Sequence, residues 1–280
     1  MNRVADAGWR HAVAALSAAF SVLPLLFVAA AAVSPAGELS STGLLPAGAS
    51  ADNVVALVTT RPFLRWCGNT LLVAGLAAAV SVLLSAAAAY AFSRLRFRGH
   101  RAGLVLLLLL QMFPQFLAIV TLYLIFAEVT ELWPAVGFNT PWGLIILYAG
   151  GALGVNTWLM KGFFDAVPRD LDEAAALDGA GHAQVFVRIL LPLVTPVLVV
   201  TGLLVFIATV NEFLLAHVFL GEPRSRTLAV GMSDLIAEQR DRNLGMFCAA
   251  TLLTAVPTVL AFRLLQRFLT AGLTGAVSRL

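Results

Sequence analysis

The 280 residues are 60% hydrophobic and only 12% charged, with a mean hydropathy of +0.91, whereas a soluble domain carries about 25% charged residues. This composition excludes an ordinary soluble enzyme. Scarce charge, 22 Gly, 12 Pro and 2 Cys also exclude a disordered chain, a collagen-like repeat and a disulfide scaffold.

The net charge of +3 comes from a few basic residues set between apolar runs, which reads as membrane orientation rather than a nucleic-acid surface. Lys161 is the only lysine, so no G-x-x-x-x-G-K-[ST] phosphate loop can be written and the chain is not itself a P-loop ATPase.

Crossing a hydrocarbon core of about 30 Å takes roughly 20 apolar residues at 1.5 Å each. Six segments meet this need: residues 11–33, 70–92, 104–126, 143–164, 193–220 and 244–268. All must be helical, because lipid offers backbone N–H and C=O groups no partner, and no strand-like alternation is present. The expected fold class is an all-α polytopic membrane protein. Small residues cluster in the second segment, from Ala74-Gly75 to Ala86-Ala87-Ala88-Ala89, where another helix can approach closely.

Placing the N-terminus in the cytoplasm puts twelve of the 18 basic residues inside, among them Arg94, Arg96, Arg98, Arg101, Lys161, Arg169 and Arg188. Both termini are therefore expected on the cytoplasmic side. Arg3 and Arg10 before an Ala-rich apolar run also resemble a signal peptide, but the run exceeds the usual 7 to 15 residues, which favours an uncleaved first helix. The division that follows is residues 1–68, a helix with its extracytoplasmic loop, and residues 69–280, the core, with a charged cytoplasmic loop at 165–192.

That loop carries Asp165, Asp170, Asp172, Glu173 and Asp178 beside Arg169 and Arg188. Asp170, with Glu173 three residues on, reads as a capping box opening a short helix. Leu171, Ala174, Ala175 and Asp178 share a face, and Gly179 stands where a left-handed residue ends a helix after about two turns. Two turns do not fold alone, so the segment lies either on its own bundle or in a partner's groove.

The spacing Glu173-Ala174-Ala175, then Gly179, Ile189 and Leu191-Pro192, reproduces E-A-A-x3-G-x9-I-x-L-P, which resembles the loop of permease subunits in bacterial ABC importers. Asn69-Thr70-Leu71-Leu72-Val73, the run from Ala89 to Gly99 and Gly272-Leu273-Thr274-Gly275-Ala276-Val277 are similar to the second permease of oligosaccharide importers. Gln111-Met112-Phe113-Pro114 and Thr227-Leu228-Ala229-Val230-Gly231-Met232 resemble the maltose/maltodextrin branch. Where relatives usually end Gly-Ala-Val-Lys-Gly, this chain ends Ala276-Val277-Ser278-Arg279-Leu280.

The resemblance implies a type I ABC importer permease fold, with Leu171, Glu173, Ala174, Ala175, Asp178, Gly179, Leu191 and Pro192 coupling the chain to a separate ATPase. It further implies a bacterial inner-membrane location and a second permease, a homodimeric ATPase that binds ATP and Mg, an extracytoplasmic sugar-binding protein and surrounding lipid as partners. Cofactors and metals in this chain are not called for, nor is nucleic acid. A trehalose or other glucoside permease stays open, and so does a self-sufficient secondary transporter, although mid-membrane ion-coupling groups and inverted repeats are not visible.

Asn211 and Glu212 fall within the fifth segment, where an ionisable group marks a pathway or an internal partner. With Tyr123, Asn156 and Trp158 they could line a sugar path, while interface anchoring and interhelical bonding are the plainer roles. Pro114 in Gln111-Met112-Phe113-Pro114 is expected to kink the third segment. The charged outer loop 221–243 faces water or, by resemblance, a binding protein. Cys67 and Cys248 lie near the outer face, where a bridge is permitted but chance pairing is rare. The four histidines show no metal-ligand spacing, and no nucleophile has a neighbouring base.

Overall fold

The computed structural model describes residues 3–34, 48–238 and 244–277, and the regular elements among them are all helical. They are α1 (Arg3–Val33), α2 (Asp52–Thr60), α3 (Phe63–Arg94), α4 (His100–Met112), α5 (Gln115–Leu132), α6 (Pro141–Ala166), α7 (Asp170–Leu177), α8 (His182–Gln184), α9 (Leu191–Asn211), α10 (Leu214–Phe219), α11 (Leu228–Glu238) and α12 (Leu244–Val277).

Trp9–Val33, Phe63–Arg94, Pro141–Ala166 and His182–Asn211 are each long and apolar enough to cross a membrane. The third expected segment is broken rather than kinked: α4 and α5 form a pair bent by 102°. Phe113 and Pro114 between them are extended, because Pro114 has no N–H to continue the helical ladder. The sixth expected segment falls within α12.

The expected fifth span, 193–220, needs correction. It ends at Asn211, Glu212 is extended at φ −73°, ψ 122°, and α10 follows as a separate element. At its other end α9 continues a π-helical stretch, Val185–Leu190, which runs on from α8. Pro192 explains the wider turn, since its ring would crowd the Arg188 carbonyl in a regular α-helix and it donates no hydrogen bond.

The chain forms two compact units, residues 1–64 with 231–257, and residues 65–230 with 258–280. In the first, Ala31, Ala32, Cys248 and Ala249 form a small-residue core. Asn53 donates from Nδ2 to the carbonyls of Ala32 (3.0 Å) and Ser34 (2.9 Å), satisfying groups left open at the end of α1. Gly245 lets α12 pass this amide, because a Cβ there would stand 2.6 Å from Asn53 Nδ2.

In the second unit α3 is the central helix, and its small face is buried as expected. Val73 and Ala77 pack with Phe126, Leu144, Tyr148 and Phe219 in one core. Ala86, Ala89 and Tyr90 pack with Met160, Phe164, Leu190 and Val194 in another. Between the cores Asn156 donates to Ser81 Oγ (3.3 Å), an interhelical bond that spares a buried amide its desolvation cost. Trp158 and Gln111 tie α4 to α6 through the carbonyls of Leu104 and Gly151, both at 3.0 Å.

Candidate functional site

The loop at 165–192 is built onto the end of α3. Arg94, the last residue of that helix, forms a salt bridge from Nε to Asp172 Oδ2 at 2.7 Å, and its Nη2 donates to the Val167 carbonyl at 2.7 Å. Its side chain is only 6% exposed. Arg169 returns the connection, donating from Nη2 to the Ser93 carbonyl at 3.2 Å. Ser93 Oγ donates to Asp165 Oδ1 at 2.6 Å, and Lys161 holds the other carboxylate oxygen at 2.6 Å. The Tyr90 hydroxyl reaches the His182 carbonyl at 3.2 Å on the far side of α7 in sequence.

Helix α7 starts one residue earlier than the capping-box reading places it. Arg169 is already αR, and its carbonyl accepts from the N–H groups of Asp172 (2.9 Å) and Glu173 (3.1 Å). No side chain caps this end, so Asp170 and Glu173 are first-turn residues whose charge meets the positive end of the helix instead. The other end follows the expectation. Gly179 is left-handed at φ +81°, with the Gly179 N–H on the Ala176 carbonyl (3.0 Å) and the Ala180 N–H on the Ala175 carbonyl (2.9 Å), a Schellman motif.

The shared face of α7 divides on folding. Ala175 is buried in the α3–α9 core, and Asp172 turns the same way toward Arg94. Leu171, Glu173, Ala174 and Asp178 stay exposed. Leu177, which the motif does not include, is 90% exposed. An apolar residue opposite Ala175 on a helical wheel is the signal that finds it; Arg94 and Asp172 leave none, since their pairing joins distant parts of the chain. Leu191 is half-buried and Pro192 exposed at the start of α9.

Glu212 is not a free carboxylate. It accepts from the Tyr148 hydroxyl at 2.5 Å and from the N–H groups of Leu215 (2.8 Å) and Ala216 (3.1 Å), so it closes the open end of α10. Asn211 is exposed and bonds the Ile207 carbonyl of its own helix at 2.8 Å. Tyr123 is partly exposed with its ring against Phe138, 4.9 Å between centroids. The structure does not bring Tyr123 into the Glu212 cluster.

At the opposite end of α3, Trp66 donates to the Pro223 carbonyl (2.9 Å), and Asn69 to those of Arg224 (3.0 Å) and Arg226 (2.9 Å). Asn139 Oδ1 accepts from the Glu222 N–H at 2.9 Å. The first part of the charged loop 221–243 is thus a fixed feature, followed by α11. Arg240, Asp241 and Arg242, in the rest of that loop, lie outside the described residues, as do Ser278, Arg279 and Leu280 of the altered tail. Cys67 and Cys248 are free thiols. Among the described residues no group of three or more His, Cys, Asp and Glu side chains could hold a metal ion.

Several helices long and apolar enough to cross a membrane, with the two-turn α7 clamped to the end of α3, define a polytopic membrane protein. Residues 81–273 match the family described as binding-protein-dependent transport system inner membrane component, and the chain belongs to that family. It is 40% identical over 266 residues to the maltose/maltodextrin transport system permease protein MalG of Vibrio vulnificus (strain YJ016), covering 90% of this chain and 89% of that protein. Identity is 36% over 263 residues with the galactooligosaccharides transport system permease protein GanQ of Bacillus subtilis (strain 168), covering 93% and 91%.

In fold it is similar to a chain of the crystal structure of a bacterial ABC transporter involved in the import of the acidic polysaccharide alginate. The TM-score is 0.81 at 18% identity, over 95% of this chain and 96% of that one. Membership makes the chain a transport subunit rather than an enzyme and displaces the self-sufficient secondary transporter.

Proposed function

We propose that this chain is the transmembrane permease subunit of an ATP-driven oligosaccharide importer, taking malto-oligosaccharides, with both termini in the cytoplasm. Its partners are a second permease, a pair of ATPase subunits that bind ATP and Mg, and an extracytoplasmic sugar-binding protein. The observation that carries the coupling role is α7. It is anchored by Arg94–Asp172 and Ala175 on one side and presents Glu173, Ala174, Asp178 and an exposed Leu177 on the other.

A helix held so closely transmits a push. ATP-driven closure of the ATPase pair moves α7, α7 draws the ends of α3 and α6 through Arg94, Arg169 and Ser93, and the permease bundle changes the side to which it opens. No covalent step occurs in this chain.

The test is purification from native membranes in mild detergent, with identification of co-purifying subunits and sugar-stimulated ATP hydrolysis. A second permease, a P-loop ATPase and stimulation by maltodextrin with its binding protein are expected. A chain isolated alone from intact complexes would overturn the reading. The resemblance to GanQ supports galactooligosaccharides as a second substrate class, and stimulation by those sugars instead of maltodextrin would select it.

A further inference from the structure

Beside the α7 anchor lies a cleft of about 570 Å³ whose walls include Arg94, Arg96, Arg98, His100, Arg101 and Arg169 and no Asp or Glu. Two of these arginines are committed, Arg94 to Asp172 and Arg169 to the Ser93 carbonyl. Among the described residues Arg96, Arg98 and Arg101 have no carboxylate partner. An anion entering this cleft would meet several guanidinium groups and no opposing carboxylate.

Arg96, Arg98 and Arg101 are exposed, but the backbone that carries them is held in place. His100 Nε2 donates to the Phe92 carbonyl, and the rings of Phe92, Phe97 and His100 lie 5.4 to 5.7 Å apart, fixing the link between α3 and α4. Gly99, at φ +91°, turns the chain so that the 13-residue α4 begins at the cleft, with no side-chain cap and no acidic residue in its first turn. The positive end of that helix therefore adds to the arginines.

What leads away from the cleft is apolar. Counting along α4 from Arg101 at helical spacing, Val105, Leu108, Leu109 and Met112 follow on one face, and all four are exposed. Fixed positive charge at a membrane surface, continued by an apolar stripe running into the bilayer, is complementary to a phosphate that carries acyl chains.

We propose that this cleft binds a phosphate group, supplied by the headgroup of an anionic phospholipid whose chains lie along Val105, Leu108, Leu109 and Met112. The site rests on the membrane location of the family, not on the coupling role of α7. It has a consequence for that role, because a headgroup that neutralises Arg96, Arg98 and Arg101 leaves Arg94 undisturbed on Asp172.

The test uses the full chain with its co-purifying subunits, delipidated in detergent and titrated with phosphatidylglycerol, phosphatidylcholine or inorganic phosphate, with bound ligand read by native mass spectrometry. Phosphatidylglycerol is expected to bind in preference to phosphatidylcholine. Arg98→Gln with Arg101→Gln should weaken it roughly 30-fold, at about one kcal/mol per basic residue. Removal of the same charge elsewhere, by Arg65→Gln with Arg224→Gln, should leave it unchanged. Arg98→Lys with Arg101→Lys should retain most of the binding, which keeps the test usable if the Gln pair folds poorly.

Binding of inorganic phosphate that displaces the lipid would support the phosphate site while moving its source to a soluble anion. Equal retention of the two lipids, or phosphatidylglycerol binding unaltered in the Gln pair, would overturn the proposal. So would loss of the ATPase subunit from the Gln pair with lipid binding intact, which would assign the cleft to an acidic protein segment.

Discussion

Arg94 at the end of α3 and Asp172 in the first turn of α7 form a 2.7 Å salt bridge, with side chains 6% and 22% exposed. It fixes a two-turn helix that has too few internal hydrogen bonds to persist alone. The pair also draws on the Val167 carbonyl, so the arginine has further hydrogen bonding in its buried position.

Removing either partner leaves the other charge buried. Arg94→Gln and Asp172→Asn are each expected to destabilise the loop by about 3 kcal/mol. Sugar-stimulated ATP hydrolysis should fall while basal hydrolysis by the ATPase persists. The measurements are thermal unfolding of the purified complex and the ratio of stimulated to basal rates. An unchanged ratio in both variants would contradict the anchoring role.

Leu177 calls for the opposite outcome. At 90% exposure it adds little to the chain's own fold, so Leu177→Ala should shift stability by less than about 0.5 kcal/mol. A leucine buried in a partner's groove contributes about 1.5 to 3 kcal/mol, so affinity for the ATPase subunit should drop roughly 10- to 100-fold. Titration of the purified ATPase onto the permease in nanodiscs reads this directly, and wild-type affinity would place the contact elsewhere.

Glu212 and Tyr148 are coupled through one short bond, and the same carboxylate holds two backbone N–H groups of α10. Glu212→Ala is expected to cost about 1–3 kcal/mol, because buried donors lose their acceptor. Tyr148→Phe should cost less. In a double-mutant cycle the two changes should be non-additive, measured by denaturation in detergent; simple additivity would mean that the hydroxyl contributes nothing to the cap.

Gly179 ends α7 at φ +81°. A side chain in this conformation costs about 1–2 kcal/mol, so Gly179→Ala should loosen the helix end, and Gly179→Asn less, since Asn tolerates the left-handed region better. Proteolytic susceptibility of the loop 165–192 should rank Ala above Asn above wild type.

The membrane class of this protein, the rough positions of its six apolar segments and the short helix ended by Gly179 are legible in the amino-acid order. Hydrophobic length and turn chemistry are local, and Leu104 to Leu110 or Gly179 needs no distant neighbour to be interpreted. The family too is readable, because Glu173-Ala174-Ala175, Gly179, Ile189 and Leu191-Pro192 hold a fixed spacing along the chain.

Which way those residues point is decided only by tertiary structure. Ala174 and Ala175 are chemically identical neighbours, yet one is exposed and the other buried, because α3 and α9 meet α7 on one side alone. Asp172 is a paired anchor only because Arg94, distant in sequence, ends its helix there. Glu212 caps α10 locally through Leu215 and Ala216, but its bond to Tyr148 of α6 exists only because the folded chain brings those two helices together. A side chain's partner is set by the packing of helices, and helices of similar apolar composition carry no local record of which neighbour each face will meet.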